Sequence, residues 1–149
     1  MSLQDQIMTS MKEAMKAKDR TALTALRAVK SAILMAKTES GAASELTEEQ
    51  ELKLLQKQVK QRKDSAAIFL EQGREDLAAP ELAEAEIIAQ FLPEAMSEED
   101  IEKIVIQVIE STGANGMKDM GRVMGVVSKQ LAGHADGKTI STIVKSKLM

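Results

Sequence analysis

Three cations near the end of the chain, Lys118, Arg122 and Lys129, have a spacing that brings them within about 40° of one another on an α-helix, at about 100° per residue. At about 1.5 Å per residue the strip is about 16 Å long, a length that suits several nucleic-acid phosphates. It lies opposite an apolar stripe of Met120, Val123, Met124, Val127 and Leu131, and it includes Gly125, where another backbone can come close. The next helix repeats the arrangement, with Lys138, Ser141, Thr142 and Lys145 outward and Ile140, Ile143 and Val144 inward. Cations and hydroxyls are donors to phosphate oxygens. The joints at Asn115-Gly116 and Asp136-Gly137 precede Lys118 and Lys138, so unpaired helix N–H groups there could seat an anion. The plainer reading of such lysines is a polar outer face that keeps a helix in water.

A second group of cations sits in the first half. Lys30 falls between Leu26 and Leu34 on the apolar face of its helix, and Arg62 between Val59 and Phe69 on that of the next. Cations in such places need partners, and Glu84 or Glu86 can supply them as ion pairs at the rim of the core. The functional alternative makes Arg27, Lys30 and Arg62 a second anion site. Lys53, Lys57, Lys60 and Lys63 form a looser basic edge, which reads as a solvated face interleaved with acids.

Catalytic sets are missing. His134 is the single histidine, in a turn between Gly133 and Ala135, so it makes neither a dyad nor a metal site; it reads as a loop histidine, with phosphate contact the lesser alternative. Glu48-Glu49 and Glu98-Glu99-Asp100 stand where helix caps want acids. There is no Walker-type loop, no dinucleotide fingerprint and no nucleophile elbow. Gly121 and Gly125 fit a GxxxG spacing, which permits close helix packing, here or against a partner. No catalytic residue, no metal ligand set and no cofactor is assigned.

The elements that must position these residues all have a helical period, so the chain is expected to be all-α. Leu3, Ile7, Met11, Ala14 and Met15 make one stripe; Asp19 caps a second helix whose stripe is Leu23, Leu26, Val29, Ile33 and Leu34. After a loop at 40–46, Thr47 and Gln50 form a capping box that opens a long third helix, burying Leu52, Leu55, Val59, Ala66, Phe69 and Leu70 and closed by Gly73. Pro80 is tolerated in a first turn, so a turn is placed at 74–79 and the fourth helix at 80–91, ended by Leu92-Pro93. Ser97 caps the next helix, and a three-helix tail follows, with glycines at 113, 116, 133 and 137 at its joints. The chain is expected to divide into an N-terminal helical domain of about four helices, 1–93, and a small tail domain, 94–149. The tail is expected to lean on the first piece or on a partner.

Composition bounds the rest. The chain has 149 residues, ten Met, two Phe, and no Trp, Tyr or Cys, so its core is aliphatic and thiol chemistry is excluded. The lack of aromatic platforms disfavours single-strand readers that stack bases. A net charge of −3 argues against a general nucleic-acid coat and makes any anion-binding surface local. No apolar run approaches the roughly 20 residues that span a bilayer, and the first residues lack a secretory h-region, so the expectation is a cytoplasmic protein without membrane contact.

Several segments together carry a resemblance. They are Met117-Lys118-Asp119-Met120-Gly121-Arg122-Val123-Met124-Gly125 and Gly133-His134-Ala135-Asp136-Gly137-Lys138 in the tail. Met15-Lys16-Ala17-Lys18-Asp19, Leu26-Arg27, Gln61-Arg62-Lys63-Asp64-Ser65, Gly73-Arg74-Glu75-Asp76-Leu77 and Leu92-Pro93 precede it. The chain resembles the GatB/YqeY family over essentially its whole length. The resemblance implies a helical N-terminal domain and a tail shared with the B subunit of the tRNA-dependent amidotransferase, where the tail helps engage tRNA and the carboxylate-activating chemistry lies in a large domain this chain lacks. It implies tRNA and amidotransferase subunits as partners. One departure is His134, where relatives usually carry Arg, so a permanent cation is replaced by a side chain whose charge depends on pH.

Three functions follow as expectations. The first is a non-catalytic accessory protein that contacts tRNA or other structured RNA through Lys118, Arg122, Lys129, His134, Lys138 and Lys145. The second is a component of a glutamine-dependent carbon–nitrogen ligase that acts only with other subunits, because the chain has no nucleophile and no phosphate cradle of its own. The third is a protein-interaction module whose Met-rich faces dock a partner.

Overall fold

A computed structural model describes residues 2–39 and 45–149. Among them are seven α-helices and no strand: α1 (Leu3–Ala17), α2 (Arg20–Glu39), α3 (Glu48–Glu71), α4 (Glu75–Ala89), α5 (Glu98–Thr112), α6 (Met120–Gln130) and α7 (Gly137–Leu148), with a 3-10 turn at Met117–Asp119. The all-α expectation is borne out. The loop expected at 40–46 lies outside the described residues except for Glu45 and Leu46.

Helix starts follow the side chains that satisfy free backbone donors. Ser2, Asp19, Thr47, Ser97 and Asp136 each accept a hydrogen bond from the N–H three residues on, at 2.6–3.2 Å. At Thr47 the exchange is reciprocal, because the Gln50 side chain accepts from the Thr47 N–H at 2.9 Å. α3 ends at Gly73, whose φ of 73° lets the Gly73 and Arg74 N–H groups fold back onto the Leu70 and Phe69 carbonyls. Lys18 makes the same left-handed turn after α1 without glycine, at φ 56°, which costs on the order of 1 kcal/mol.

The fourth helix departs from expectation. It begins at Glu75, not at Pro80, and runs through the proline. Glu75 and Asp76 in its first turn favour the positive end of the helix dipole, and the Leu77 and Ala78 N–H groups both reach the Arg74 carbonyl. Ala78 is buried, so the turn before Pro80 is anchored by packing. The proline therefore removes one N–H donor without ending the helix.

The helices form two compact units, Met1–Leu92 and Pro93–Met149. In the first, α3 and α4 form a closely packed pair, and α2 packs against α1 and α4. Its core joins Ile7 and Ala14 of α1, Leu26, Val29 and Ile33 of α2, Leu55 and Val59 of α3, and Ala85 and Ile88 of α4. In the second, α5, α6 and α7 pack pairwise around Ile101, Val105, Val108, Val123, Val127, Leu131, Ile140, Val144 and Leu148. Both cores are aliphatic. Three residues assigned to core faces from their period, Met15, Leu34 and Leu70, are exposed instead.

Candidate nucleic-acid interface

The tail unit separates its charges by helix. From Gly113 to the end there are six Lys and Arg residues against Asp119 and Asp136 alone, whereas α5 carries Glu98, Glu99, Asp100, Glu102 and Glu110 against Lys103. Lys118, Lys129, Lys138 and Lys145 are all exposed, and none makes an ion pair among the described residues. Lys147, by contrast, is bound to Glu102 of α5. Packing of Val123, Val127, Ile140 and Val144 inward is what turns Lys129, Lys138 and Lys145 outward, since the opposite face of each helix is committed to the core.

Two parts of the expected strip are different. Lys118 lies in the 3-10 turn rather than on the sixth helix, where a residue turns by about 120° and not about 100°. The α-helical part runs from Arg122 to Lys129, about 10 Å. Arg122 is not free either: its Nη2 lies 3.3 Å from Asp119 Oδ1. Gly121 and Gly125 are exposed, with nothing within 4 Å of where a Cβ would stand, so their spacing serves no helix contact among the described residues. It leaves a stretch of bare backbone beside Arg122 and Lys129.

Of the two expected anion seats, the one at the start of α7 is capped by the chain's own carboxylate. Asp136 accepts the Thr139 N–H at 2.6 Å, occupying the start of α7 ahead of Lys138. Asp119 accepts the Asn115 N–H at 2.8 Å, ahead of the joint, and among the described residues no side chain caps the start of the 3-10 turn or of α6 beside Lys118. His134 is half-buried and acts as a tether. Its Nδ1 is 3.2 Å from the Glu94 carbonyl oxygen, and its own carbonyl accepts the Met96 N–H at 2.9 Å, holding the segment before α5 against the α6–α7 turn. Gly133, at φ 82°, makes the turn that puts it there. These contacts are invisible in the sequence because they join residues about 40 apart, with no local pattern to reveal them.

Arg27, Lys30 and Arg62 have different neighbours. Lys30 and Arg27 are exposed, because the core face of α2 is centred on Ala25, Leu26, Val29 and Ile33; the expectation of Lys30 on the apolar face is corrected. Lys30 lines a cleft with residues of α1. Arg62 is half-buried on α3, where its Nη1 donates to the Gln58 carbonyl and side chain at 3.1 and 2.7 Å. Burial pushes the Glu84 carboxyl on α4 above the ordinary carboxylate range, with the charge of Arg62 opposing and that of Glu81 adding. Glu84 is thus the acid that senses the charge of Arg62, while Glu86 is exposed. On α3, Lys53 and Lys60 pair with Glu49 and Asp64 one turn away.

Among the described residues no three His, Cys, Asp or Glu side chains gather as metal ligands, and no helix is long and apolar enough to cross a membrane.

Comparison with known proteins gives the chain its relatives. The family model described as Yqey-like protein matches residues 4–148. Over 135 residues the chain is 35% identical to altered inheritance of mitochondria protein 41, mitochondrial, of Clavispora lusitaniae, covering 88% of this chain and 77% of that protein. It is 32% identical over 135 residues to the protein of the same name from Saccharomyces cerevisiae, covering 89% and 69%. Over 73 residues it is 38% identical to a glutamyl-tRNA(Gln) amidotransferase subunit of Thermococcus gammatolerans; that match takes in 46% of this chain and only 12% of the archaeal protein.

Proposed function

The chain belongs to the Yqey-like family, and from that premise we propose that it is a non-catalytic accessory protein that contacts tRNA, or another structured RNA, through α6, α7 and the turn before α6. The observation that carries this reading is the set of four exposed, unpaired lysines, Lys118, Lys129, Lys138 and Lys145, in a stretch with only two side-chain carboxylates. Ammonium groups without aromatic neighbours suit phosphates rather than bases, so the contact reads the shape of a folded RNA more than its sequence. The open backbone at Gly121 and Gly125 would let a sugar-phosphate chain approach closely. His134 is tethered to the Glu94 carbonyl through Nδ1 and would add a contact only through Nε2.

The test is a salt titration of tRNA binding to the full chain. Each lysine that neutralises one phosphate adds a little under one to the slope of log K against log salt. Lys118→Gln, Lys129→Gln, Lys138→Gln and Lys145→Gln should each reduce that slope by about one and weaken binding at low salt, without changing the fold. A slope unaltered in the fourfold variant, or binding insensitive to salt, refutes the reading.

The likeness to part of an amidotransferase supports a second reading, in which the chain works beside amidotransferase subunits in glutamine-dependent carbon–nitrogen ligation. Such chemistry needs a nucleophile with its base and a phosphate cradle, which those other subunits would supply. Recovery of amidotransferase subunits with the chain after RNase treatment distinguishes it from the first.

A further inference from the structure

We propose that the outer face of α1 and α2 is a docking groove for an acidic amphipathic helix of another protein. A cleft of about 260 Å³ opens there, lined by Gln4, Ile7, Met8, Lys30 and Ile33. Met8 in its lining is 42% exposed, and apolar surface continues beyond it, with Met15 59% and Leu34 52% exposed. On α1, Met8, Met11 and Met15 recur at helical spacing and share a stripe about 60° wide. On α2, Leu34 lies one turn beyond Lys30, and Arg27 lies just under a turn before it. The Lys37 ammonium donates to the Gln4 side chain at 3.0 Å and pins the two helices together beside the cleft. Methionine side chains repack around whatever apolar knob enters, which suits a surface that accepts a helix.

Charge selects the occupant. α2 carries Arg20, Arg27, Lys30 and Lys37 and no carboxylate before Glu39. Arg27 and Lys30 are exposed without an ion pair among the described residues. A helix that lays Leu or Met anchors into the groove and sets Asp or Glu against these cations satisfies both the apolar and the charged parts. α1 is about 22 Å long, the length of a four-turn helix. An RNA backbone fits poorly, because its phosphates would lose water over Met8, Met15 and Leu34. This surface stands apart from the reading of α6 and α7 and does not rest on it.

The experiment selects a displayed library of amphipathic helical peptides on the full chain, then titrates an enriched peptide into protein with methyl-labelled methionine. Enriched peptides should flank their apolar anchors with Asp or Glu. The Met8, Met11 and Met15 methyl signals should shift, and those of Met96, Met117, Met120 and Met124 should stay. Lys30→Glu, an exposed change that leaves the free protein's methyl spectrum folded, should weaken the peptide by at least about tenfold. Absence of enrichment, enrichment of basic peptides, shifts centred on the tail methionines, or unchanged affinity in Lys30→Glu each overturns the proposal. So does a response of Met8 and Met15 to purified tRNA or to anionic lipid vesicles in place of the peptide.

Discussion

Arg62 and Glu84 show how a single pair of charges can be set at the edge of a core without a salt bridge. The Arg62 guanidinium is bound to Gln58 on its own helix, and its Nε is buried with no partner. Glu84 feels that charge, yet burial outweighs it and raises the carboxyl above its ordinary range. The sign of the consequence is fixed by linkage. The folded chain holds a proton on Glu84 more tightly than the unfolded chain does, so this group favours folding while protonated. That contribution is lost as pH rises from the ordinary carboxylate range through the raised value. Glu84→Gln should therefore flatten this part of the pH profile and raise stability at neutral pH by less than about 1 kcal/mol, read from urea midpoints between about pH 4 and 7. A loss of stability at neutral pH in Glu84→Gln would mean that Arg62 depends on the carboxylate more than burial penalises it.

Among the elements, α4 is the one whose sequence conflicts with its fold. Pro80 is the sixth residue of the helix, where an N–H would otherwise reach the Asp76 carbonyl. Its side chain is exposed, so Pro80→Ala restores that bond without touching the core, and should stabilise the chain by roughly 1–2 kcal/mol after allowing for the greater freedom of the unfolded chain. Thermal unfolding followed by helical circular dichroism measures it; no gain would show that the first turn of α4 is frayed in solution. The same helix marks where reading the sequence stops working. Caps at Asp19, Thr47 and Ser97 and stripes such as Leu26, Val29 and Ile33 are legible, because each is a local pattern tied to backbone donors or to the helical period. Pro80 misleads because burial of Ala78, a tertiary contact, outweighs a local rule. Lys30 and Leu34 are misplaced by their spacing because periodicity fixes a face only to within part of a turn, and the neighbouring helix decides the rest. At the tail, the outward lysines follow from the inward valines and isoleucines. The 3-10 turn at Lys118 does not, since it depends on how the glycine joints bend.

Over the whole molecule, the two units have cores that share no residue, one built on α1 to α4 and the other on α5 to α7. Each is aliphatic, and neither contains an aromatic side chain among its fully buried residues. The smaller one has little apolar area to spare, since small units bury a lower fraction of their surface. Truncation inside it should therefore be severe and local. Ile140→Ala removes a buried side chain of α7 and should destabilise its unit by about 2–5 kcal/mol, enough to open much of it. Hydrogen exchange read helix by helix separates a local effect from a global one, because amides exchange through whichever opening costs least. In Ile140→Ala the amides of α5, α6 and α7 should lose protection while those of α2 and α3 keep theirs; Leu26→Ala should do the converse. If either change raised exchange equally in both sets of helices, the cores would have to stand or fall together, and the unpaired lysines of α6 and α7 would owe their presentation to the first unit as much as to their own.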